Sequence, residues 1–549
     1  MNRSWRNFTT IVFILSIAFC GLAGQRLLAV SGDTQDQIRL YTEVLKAAHD
    51  HYGDDVRYKD MVYAGIEGML RSLDPHTNFL SPEDYEQMRD RQRGSFYGLG
   101  ILVSKRNGEL TIISPIDGTP AWRLGLRAGD VISTIEGEPT RSMSLDEAVT
   151  KLKGPKGTKV NIGITRRGLE KPLDMAVTRA EIPQTTVRYA YMMTPETGYI
   201  RLTDFSRSTA REMRDALDKL KEEGMTQLML DLRSNGGGLL DQTVEVSNFF
   251  VPEETRIVET RGRLSDSYQT FYSDGAYEPI DMPVVVLVNN GTASAAEILA
   301  GAVQDHDVGL VVGTPTWGKG LVQTVYNLSY GAGVALTTAK YYTPSGRLIQ
   351  RDYSSYYDYY THFGQSADVG AQSDEVPETP TAEGAEVFST DLGREVYGGG
   401  GITPDHVVEL PDGPQILTSL FASNAFFQFA VDYHSRHPVT DENWQPSDDL
   451  LEEFATWAEK EEISTAELVN EMLEDPAARD YVMRQIHADV FNSAFGTEAS
   501  HKILARGDEQ IQEALGLFGE ASKLLDRRHG LDGQALVADT QAEATEQAN

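Results

Sequence analysis

The chain has 549 residues, and at about 150 residues per domain it is predicted to form roughly three or four domains rather than one. A hydrophobic content of 40% is ordinary for a globular protein, so most of the chain should fold. The formal net charge of −33 repels phosphate backbones and excludes nucleic acid as the main partner.

The first 30 residues have the pattern of an export signal. Two arginines precede an apolar stretch from Phe8 to Ala23. Because this stretch is slightly shorter than the ~20 residues that span a bilayer comfortably, it fits either a cleaved signal peptide or a short uncleaved membrane anchor. Cys20 is the only cysteine, but a lipoprotein signal requires a small residue where Phe19 stands. Without another cysteine, the mature chain uses no disulfide or thiol chemistry.

The remaining chain predicts a multidomain α/β protein. Apolar residues at helical spacing over 31–93 indicate a helical N-terminal region. Short alternating strands with Gly and Pro turns, and one helix at Leu145 to Leu152, indicate a compact β-rich module over 94–182. From 183 to 412 strands alternate with helices, as in an α/β core with crossover connections.

Three further segments complete the predicted organisation. A run rich in Tyr, Ser, Gly and Glu at about 352–392 reads as a long surface insertion in the core. Residues 413–531 again have helical patterns and form a helical C-terminal region. Residues 532–549 form a polar, acidic tail that we expect to be disordered.

Ser294 is the first candidate for chemistry. It follows the apolar strand Val284 to Val288 and precedes a predicted helix. A serine at such a turn lies at a helix N-terminus, where backbone N–H groups favour negative charge on an attacked carbonyl. Ser294 and Glu297 also have the S-x-x-E spacing of a capping box, so local spacing alone favours a helix cap.

Lys319 is the second candidate. The run from Gly313 to Lys319 spells G-x-x-x-x-G-K and imitates the phosphate-binding loop of a nucleotide hydrolase. That alternative fails because Gly320 stands where a Ser or Thr would ligate magnesium, and Pro315 removes a backbone donor. A desolvated lysine can instead act as a general base for a serine hydroxyl. Gln323, four residues on along an extended segment, would lie on the same face and orient the amine.

A glycine turn and two histidines complete the candidates. The run of three glycines ending at Gly238 permits a tight turn whose exposed N–H groups suit an oxyanion hole, although an ordinary glycine turn fits the same pattern. His306 would lie about 18 Å from Ser294 along one helix at ~1.5 Å per residue, too far to reach it. His76 lies in the helical lead-in, where capping and packing uses are commoner.

Motifs in collinear order between about residues 35 and 410 resemble the carboxy-terminal processing (tail-specific) proteases of bacteria and chloroplasts. The motifs are Leu73-Asp-Pro-His, Asp231-Leu-Arg-Ser-Asn-Gly-Gly-Gly-Leu-Leu, Thr292-Ala-Ser-Ala-Ala-Glu, Gly318-Lys-Gly-Leu-Val-Gln, Tyr341-Tyr-Thr-Pro-Ser-Gly-Arg and Gly401-Ile-Thr-Pro-Asp. The resemblance implies a Ser–Lys dyad with an orienting glutamine and an oxyanion hole made of two backbone N–H groups. The residues that match these roles are Ser294, Lys319, Gln323, Gly237 and Ala295. The family usually has Pro where Gly236 stands, so we expect a more flexible turn here.

Residues 94–182 resemble a PDZ domain. The run Gly98, Leu99, Gly100, Ile101 looks like the loop whose backbone N–H groups bind a peptide's C-terminal carboxylate while the peptide adds as an extra strand. By pattern alone, this glycine pair would also fit a hairpin turn. A role in peptide binding is therefore what the resemblance implies for these residues.

The combined expectation is a serine endopeptidase that recognises substrate C-termini through its PDZ domain and cleaves envelope proteins, with no metal or cofactor. It would be periplasmic, or anchored in the inner membrane by its N-terminal segment and facing the periplasm. Its partners would be proteins or peptides with exposed C-termini, and helical ends in this family often mediate self-association or adaptor docking. The alternative is a catalytically idle PDZ scaffold of the envelope. The joint presence of Ser294, Lys319 and Gln323 argues against it.

Overall fold

The computed structural model describes residues 32–530 apart from 170, 352–385, 410–414, 462 and 464–473. The chain divides into two compact units, Met1–Phe79 and Leu80–Asn549. The predicted export signal, most of the predicted insertion and the acidic tail lie outside the described residues. Among the helices of the described part, none has both the length and the apolar character needed to cross a membrane.

The first unit contains helices α1 (Gly32–His51) and α2 (Tyr58–Arg71). After α2, the Asp74 carboxylate accepts the N–H groups of His76 and Thr77, each at 2.8 Å. Such side-chain bonds to the following backbone are typical of an Asx turn. His76 therefore contributes its backbone to a tight turn that precedes strand β1 (Asn78–Leu80).

The second unit opens with α3 (Pro82–Arg93), whose two ends are both specified locally. Ser81 Oγ accepts the N–H of Asp84 at 3.1 Å, and Pro82 occupies the first helical position. Gly94 ends the helix in the left-handed conformation, with φ of 74°. A polar N-cap with a following proline and a terminal glycine is the pattern that sequence rules associate with a short helix.

Residues 94–182 contain the strands of a β-rich module. Its sheet has the strand order β3-β4-β5-β7-β8, with β6 beside β5, so β3 lies at an edge. A separate antiparallel pair, β2 with β9, brings together the points where the chain enters and leaves the module. The elements are β2 (Ser95–Gly98), β3 (Ile101–Arg106), β4 (Glu109–Pro115), α4 (Pro120–Arg123), β5 (Val131–Ile135), β6 (Glu138–Pro139), α5 (Leu145–Leu152), β7 (Lys159–Thr165), β8 (Leu173–Thr178) and β9 (Ala180–Pro183).

The α/β core is built on a six-stranded sheet in the order β10-β11-β12-β15-β16-β21. Strands β11 to β21 run parallel, and β10 pairs antiparallel with β11. Residues of the three helices α6, α7 and α8 share one buried core with residues of this sheet. These elements are β10 (Val187–Met192), β11 (Thr197–Leu202), α6 (Thr209–Glu222), β12 (Gln227–Asp231), α7 (Leu240–Ser247), β15 (Val284–Val288), α8 (Ala295–Asp305), β16 (Leu310–Gly313) and β21 (His406–Val407).

A second sheet and a small hairpin flank this core. In the sheet, β18 pairs antiparallel with β17 and β13, and β13 pairs with β14. The hairpin joins β19 and β20. These strands are β13 (Arg256–Gly262), β14 (Gln269–Tyr272), β17 (Leu321–Asn327), β18 (Gly333–Tyr342), β19 (Val387–Ser389) and β20 (Glu395–Tyr397).

The hairpin begins within the range predicted for the insertion. The insertion was predicted to run to about residue 392, and β19 begins at Val387. The turn between the strands is tied to the end of α8, because Leu392 N–H donates to Asp307 Oδ2 at 2.6 Å and Arg394 Nε to Asp307 Oδ1 at 2.6 Å. Charged partners that are distant in sequence hold this stretch, and its composition does not reveal them.

The predicted helical C-terminal region consists of two parts with different cores. Helices α9 to α12 supply a core of their own. The later helices share a core with the face of the six-stranded sheet opposite α6 to α8. The helices are α9 (Gln415–Ala422), α10 (Ala425–Arg436), α11 (Asp448–Lys460), α12 (Pro476–Phe495), α13 (Thr497–Ala505), α14 (Glu509–Gly516) and α15 (518–530).

The multidomain α/β fold class is confirmed by these elements. Helix α5 and strand β15 have the bounds that the sequence pattern predicts. Their periodic apolar residues alternate with turn residues, which fixes their ends locally. The packing of residues beyond 497 against the α/β core, by contrast, was not expected.

Candidate active site

Ser294 lies between the end of β15 and the start of α8, as predicted. Its backbone has φ of 58° and ψ of −117°, a conformation that is uncommon for a residue with a side chain. Strain of this kind persists only where the surrounding structure holds it. The N–H of the next residue, Ala295, has no acceptor among the described residues and is available to a ligand.

The Glu297 carboxylate joins the segment of Ser294 to the segment of Lys319. Glu297 Oε2 accepts the N–H of Ser294 at 2.7 Å and that of Lys319 at 2.9 Å, so these two backbone groups are neighbours in space. Glu297 Oε1 accepts the N–H of Gly318 at 2.7 Å and the hydroxyl of Thr316 at 2.5 Å. Burial raises the pKa of this fully buried carboxyl, and the four donors oppose that rise. Glu297 therefore does more than cap a helix.

Lys319 and Gln323 are in contact in the structure. Lys319 Nζ donates to Gln323 Oε1 at 3.1 Å, and both side chains are half-buried. Among the described residues, Lys319 Nζ and Ser294 Oγ form no hydrogen bond with each other. Catalytic hydrogen bonds are often long before substrate binds and shorten in the complex.

The loop 232–238 after β12 packs against Ser294. Ala293 N–H donates to the Asn235 carbonyl at 2.9 Å. A Cβ atom added to Gly237 would lie 2.8 Å from Ser294 Cβ and 2.9 Å from Ala295 N. Gly237 also has φ of 98°, a conformation that favours glycine. The loop can approach Ser294 this closely only because Gly237 has no side chain.

The N–H of Gly237 is engaged within its own loop. It donates to Asn235 Oδ1 at 2.9 Å, and Asn235 is itself fully buried. An asparagine side chain often accepts an N–H two residues later in this way. In this conformation the Ala295 N–H is available to an oxyanion, whereas the Gly237 N–H is not. Gly236 has no close neighbour at its Cβ position and no positive φ, so its backbone would accept a side chain.

A buried cluster of charges lies at the start of the same loop. Asp231 Oδ2 accepts Arg201 Nη1 at 2.6 Å, Arg233 Nη2 at 2.7 Å and the Tyr199 hydroxyl at 2.7 Å. Burial acts to raise the pKa of Asp231, but the two arginines outweigh it and hold the pKa below its usual value. The Asp231 carboxylate therefore binds Arg233 at the beginning of the loop.

His306 is not part of the site. It ends α8, and its ring nitrogens contact Asp391 Oδ2 at 2.7 Å and the Arg256 carbonyl at 2.7 Å. These partners hold the ring at the end of the helix opposite to Ser294. The helix geometry that argued against a histidine-based triad is borne out by the length of α8.

The predicted carboxylate-binding loop precedes the edge strand β3. Gly98 ends β2, Leu99 and Gly100 form the loop, and Ile101 begins β3. The Leu99 and Gly100 N–H groups have no acceptor among the described residues. Gly100 has φ of 79°, and a Cβ atom there would lie 2.3 Å from Thr119 Cβ. An unpaired strand edge beside free N–H groups can accept a peptide as an additional strand.

Several important residues escaped the sequence analysis. Glu297 was noticed only as a capping residue, and the loop asparagine Asn235 was not singled out. Asp231 and Arg233 stood inside a recognised motif, which was a usable signal. His501, Asp508 and Gln510, which approach the cluster from the C-terminal helices, had no signal in their local sequence.

The fold and the site together define a class. A β-rich module with an edge strand is joined to an α/β core in which a strained serine lies beside a glycine loop. A buried carboxylate links the backbone of this serine to that of a lysine, whose amine contacts a glutamine. That combination is typical of a serine peptidase with a peptide-binding module.

Comparison with known families supports this class. The profile of peptidase family S41 matches residues 196–354, and a PDZ domain profile matches residues 111–166. A profile described as the C-terminal helical domain of a probable PDZ-protease matches residues 416–479.

Related proteins identify the family. The carboxy-terminal-processing protease of Bartonella bacilliformis is 38% identical over 322 residues, which cover 58% of this chain and 74% of that protein. The carboxyl-terminal-processing protease of Synechocystis sp. is 38% identical over 340 residues, covering 61% and 75%. The protease CtpA of Bacillus subtilis is 34% identical over 339 residues, covering 60% and 70%. The chain therefore belongs to the carboxy-terminal processing proteases, which are serine peptidases of family S41, and the resemblance seen in its motifs is confirmed.

Solved structures include further relatives. A photosystem II D1 C-terminal processing protease is 32% identical, and the match covers 57% of this chain and 90% of that one with a TM-score of 0.33. The PDZ domain of a carboxy-terminal protease from Vibrio cholerae, solved with a peptide, is 30% identical over 16% of this chain and 97% of that one, with a TM-score of 0.15. TM-scores this low add no argument about the fold.

Proposed function

We propose that this peptidase cleaves peptide bonds with a Ser294–Lys319 dyad oriented by Gln323. The observation that carries the proposal is the Glu297 carboxylate, which holds the backbones of Ser294 and Lys319 on one oxygen atom. The bond from Lys319 Nζ to Gln323 Oε1 supports it further. A helix cap alone would have no use for a lysine and a glutamine aligned beside it.

The proposed mechanism has two stages. The neutral amine of Lys319 takes the proton of Ser294, and the serine oxygen attacks the peptide carbonyl. The oxyanion accepts from the Ala295 N–H, and from the Gly237 N–H once that group leaves Asn235 Oδ1. The ammonium of Lys319 then protonates the leaving amine, which produces the acyl-enzyme. In the second stage Lys319 removes a proton from water, and the hydroxide adds to the carbonyl of the acyl-enzyme. The ester bond to Ser294 then breaks, the Lys319 ammonium returns the proton to the serine oxygen, and the carboxylic acid product leaves.

Substrate selection is proposed to occur at the PDZ domain. A substrate's C-terminal carboxylate would accept from the Leu99 and Gly100 N–H groups, and its last residues would add as a strand to β3. We further propose that the protein acts on envelope proteins, because its first 30 residues have the pattern of an export signal. Fractionation of cells that make the full chain tests the location, and recovery in the cytosol would contradict it.

The dyad is tested with the full-length protein and an unfolded protein substrate that has an apolar C-terminus. We expect Ser294→Ala and Lys319→Ala each to abolish cleavage. The exposed residues Ser329 and Lys340 provide matched controls, and their alanine variants should cleave like the parent. Undiminished cleavage by either dyad variant would refute the mechanism. A parent protein that does not cleave would instead favour a non-catalytic scaffold.

The PDZ assignment is tested with two glycines that share one backbone conformation. Gly100 and Gly108 have φ of 79° and 78°, but only at Gly100 would a Cβ atom meet a neighbour within 4 Å. Gly100→Ala should weaken binding of a peptide with a free C-terminus, whereas Gly108→Ala should not. Equal binding of free and amidated peptides by the parent would show that the carboxylate is not recognised.

A further inference from the structure

Helices α13, α14 and α15 cover the back of the sheet that carries the catalytic residues. Their buried apolar residues pack against β11, β12, β15 and β16. The matched family profiles end at residue 354 for the peptidase and at 479 for the C-terminal helical domain. The segment 497–530 therefore lies beyond both, although it shares a core with the peptidase sheet.

Two side chains of this segment contact Arg233 directly. Arg233 Nη1 lies 2.8 Å from Asp508 Oδ2 and donates to Gln510 Oε1 at 3.0 Å. Gln510 is only 1% exposed and is itself held, because its Nε2 donates to the Val408 carbonyl at 2.7 Å. Asp508 also caps α14 by accepting the N–H of Ile511 at 3.1 Å.

The charge of the buried cluster is balanced only with Asp508. Asp231 is a single anion between the cations Arg201 and Arg233, and the Arg233 side chain is 8% exposed. A buried cation without a counterion is strongly unfavourable. Asp508 supplies the second anion, with a side chain that is 25% exposed. The resting position of Arg233 thus depends on a residue 275 positions later in the chain.

Arg233 is connected to the nucleophile by a short series of contacts. The next residue, Ser234, has φ of 57°, and its N–H donates to Asn289 Oδ1 at 2.7 Å. Asn235 follows, whose carbonyl accepts the Ala293 N–H and whose side chain accepts the Gly237 N–H. A displacement of Arg233 would therefore reach the loop that carries one of the two proposed oxyanion donors.

We propose that Asp508 and Gln510 are positioning residues for the peptidase, which act through Arg233 to hold the loop 232–238 against Ser294. The segment 497–530 is then a part of the catalytic domain rather than an appended region. The expected change in kcat rests on the proposed function, whereas the expected change in the loop 232–238 rests only on the contacts of the buried cluster.

The principal variant is Asp508→Asn in the full-length protein. Asparagine keeps the shape and is as good an N-cap as aspartate, so it removes the charge while preserving α14. We expect kcat for a protein substrate to fall on the order of ten- to a hundredfold while KM changes little, since misplacement far from the chemistry costs rate. Gln510→Met should have a smaller effect in the same direction. Glu509→Gln removes the same charge at the exposed neighbouring position and should match the parent.

A second measurement does not require catalysis. Hydrogen exchange of backbone amides in residues 232–238 should be faster in Asp508→Asn than in Glu509→Gln, while exchange in β15 stays the same. A merely structural role would accelerate exchange throughout the core or lower thermal stability without changing kcat in the folded protein. Asp508→Glu keeps the negative charge and should therefore have a higher kcat than Asp508→Asn.

The possible results distinguish the positioning role of Asp508 from the proposed peptidase function. Reduced kcat and faster loop exchange in Asp508→Asn alone support the positioning role. Parent-like kcat and parent-like exchange in that variant overturn it, even if the dyad is correct. If the parent protein does not cleave, the proposed function fails, and the loop exchange by itself decides whether Asp508 positions the loop.

Discussion

The two sides of Ser294 are constructed differently. The helix side consists of Glu297 and the segment Thr316 to Lys319, all within 25 residues of Ser294. The loop side consists of residues 232–238 together with Asp231, Asp508 and Gln510, which span most of the second unit. The helix side is fixed by one buried carboxylate, whereas the loop side depends on a network of charges and a single glycine. Adjacent parts of one site therefore differ in the sequence distance of the residues that hold them: short on the helix side and long on the loop side.

After the dyad variants, the largest effect is expected on the loop side, from Gly237→Ala. The added Cβ atom would clash with the backbone of Ala293 and Ala295 and would strain a residue with φ of 98°. We expect kcat/KM to fall on the order of a hundred- to a thousandfold, as for the loss of an oxyanion donor. Gly236→Ala is the matched control and should remain close to the parent. An equal fall in kcat/KM in both variants would show that the loop tolerates no added side chain at either position. The close contact of Gly237 with Ser294 would then not explain the loss.

On the helix side, Glu297→Gln should have the next largest effect. Glutamine offers one acceptor oxygen, and its amide group would face N–H donors that now bond to the second oxygen. We expect about a hundredfold loss in kcat and about 3 kcal/mol of lost stability, because buried donors are left unsatisfied. Glu222→Gln, at an exposed position, is the control. A variant with unchanged kinetics would show that the Ser294 and Lys319 segments do not need this carboxylate.

Gln323→Leu should have a smaller effect. It removes one acceptor of Lys319 Nζ but keeps the size of the side chain. A hydrogen bond to an amine that becomes protonated during the reaction stabilises it by about 1.4 kcal/mol, so its loss should lower kcat about tenfold. The dependence of kcat on pH should also shift, which a loss of packing alone would not cause. Gln269→Leu, on an exposed strand, should leave both the rate and its pH profile unchanged.

The smallest effect on activity is expected from His501→Phe, which probes the network behind the loop side. Burial, and then Arg201, lower the pKa of His501 to about 4. The folded protein keeps this histidine neutral while the unfolded chain protonates it, so stability should fall as the pH drops from about 6.5 to about 4, by up to about 3 kcal/mol. The variant should lack this part of the acid sensitivity, as measured by urea unfolding across that range. Identical pH dependence in the two proteins would contradict the pKa assignment.

The helix side was largely accessible to prediction from the sequence. The strand before Ser294, the helix after it and the Lys319 contact with Gln323 all follow from periodicity and short spacing. The site could be assembled because its members are few and close in the chain. Even so, the dual use of Glu297 was missed, since a capping box explains only the bond to the Ser294 N–H.

The loop side was not accessible in the same way. The glycine run indicated a turn, but nothing in it indicates that Gly237 touches Ser294 or that Asn235 occupies its N–H. The contacts of Arg233 with Asp508 and Gln510 join positions that no local pattern relates. Long-range pairing of polar groups depends on the finished packing of helices on the sheet, and a sequence pattern of one or two turns does not contain it.

The covered back of the sheet has a consequence for the protein's synthesis. The strands from β11 to β16 are complete once Gly313 is made, but Asp508 comes 195 residues later. At a translation rate of roughly 5 to 20 residues per second, the apolar sheet face stays uncovered for on the order of 10 to 40 s before the covering helices are made. A nascent chain in that interval exposes an apolar sheet face and lacks the contacts of Arg233 with Asp508 and Gln510. Transiently exposed apolar surface promotes aggregation, so the chain most needs protection before helices α13 to α15 are made.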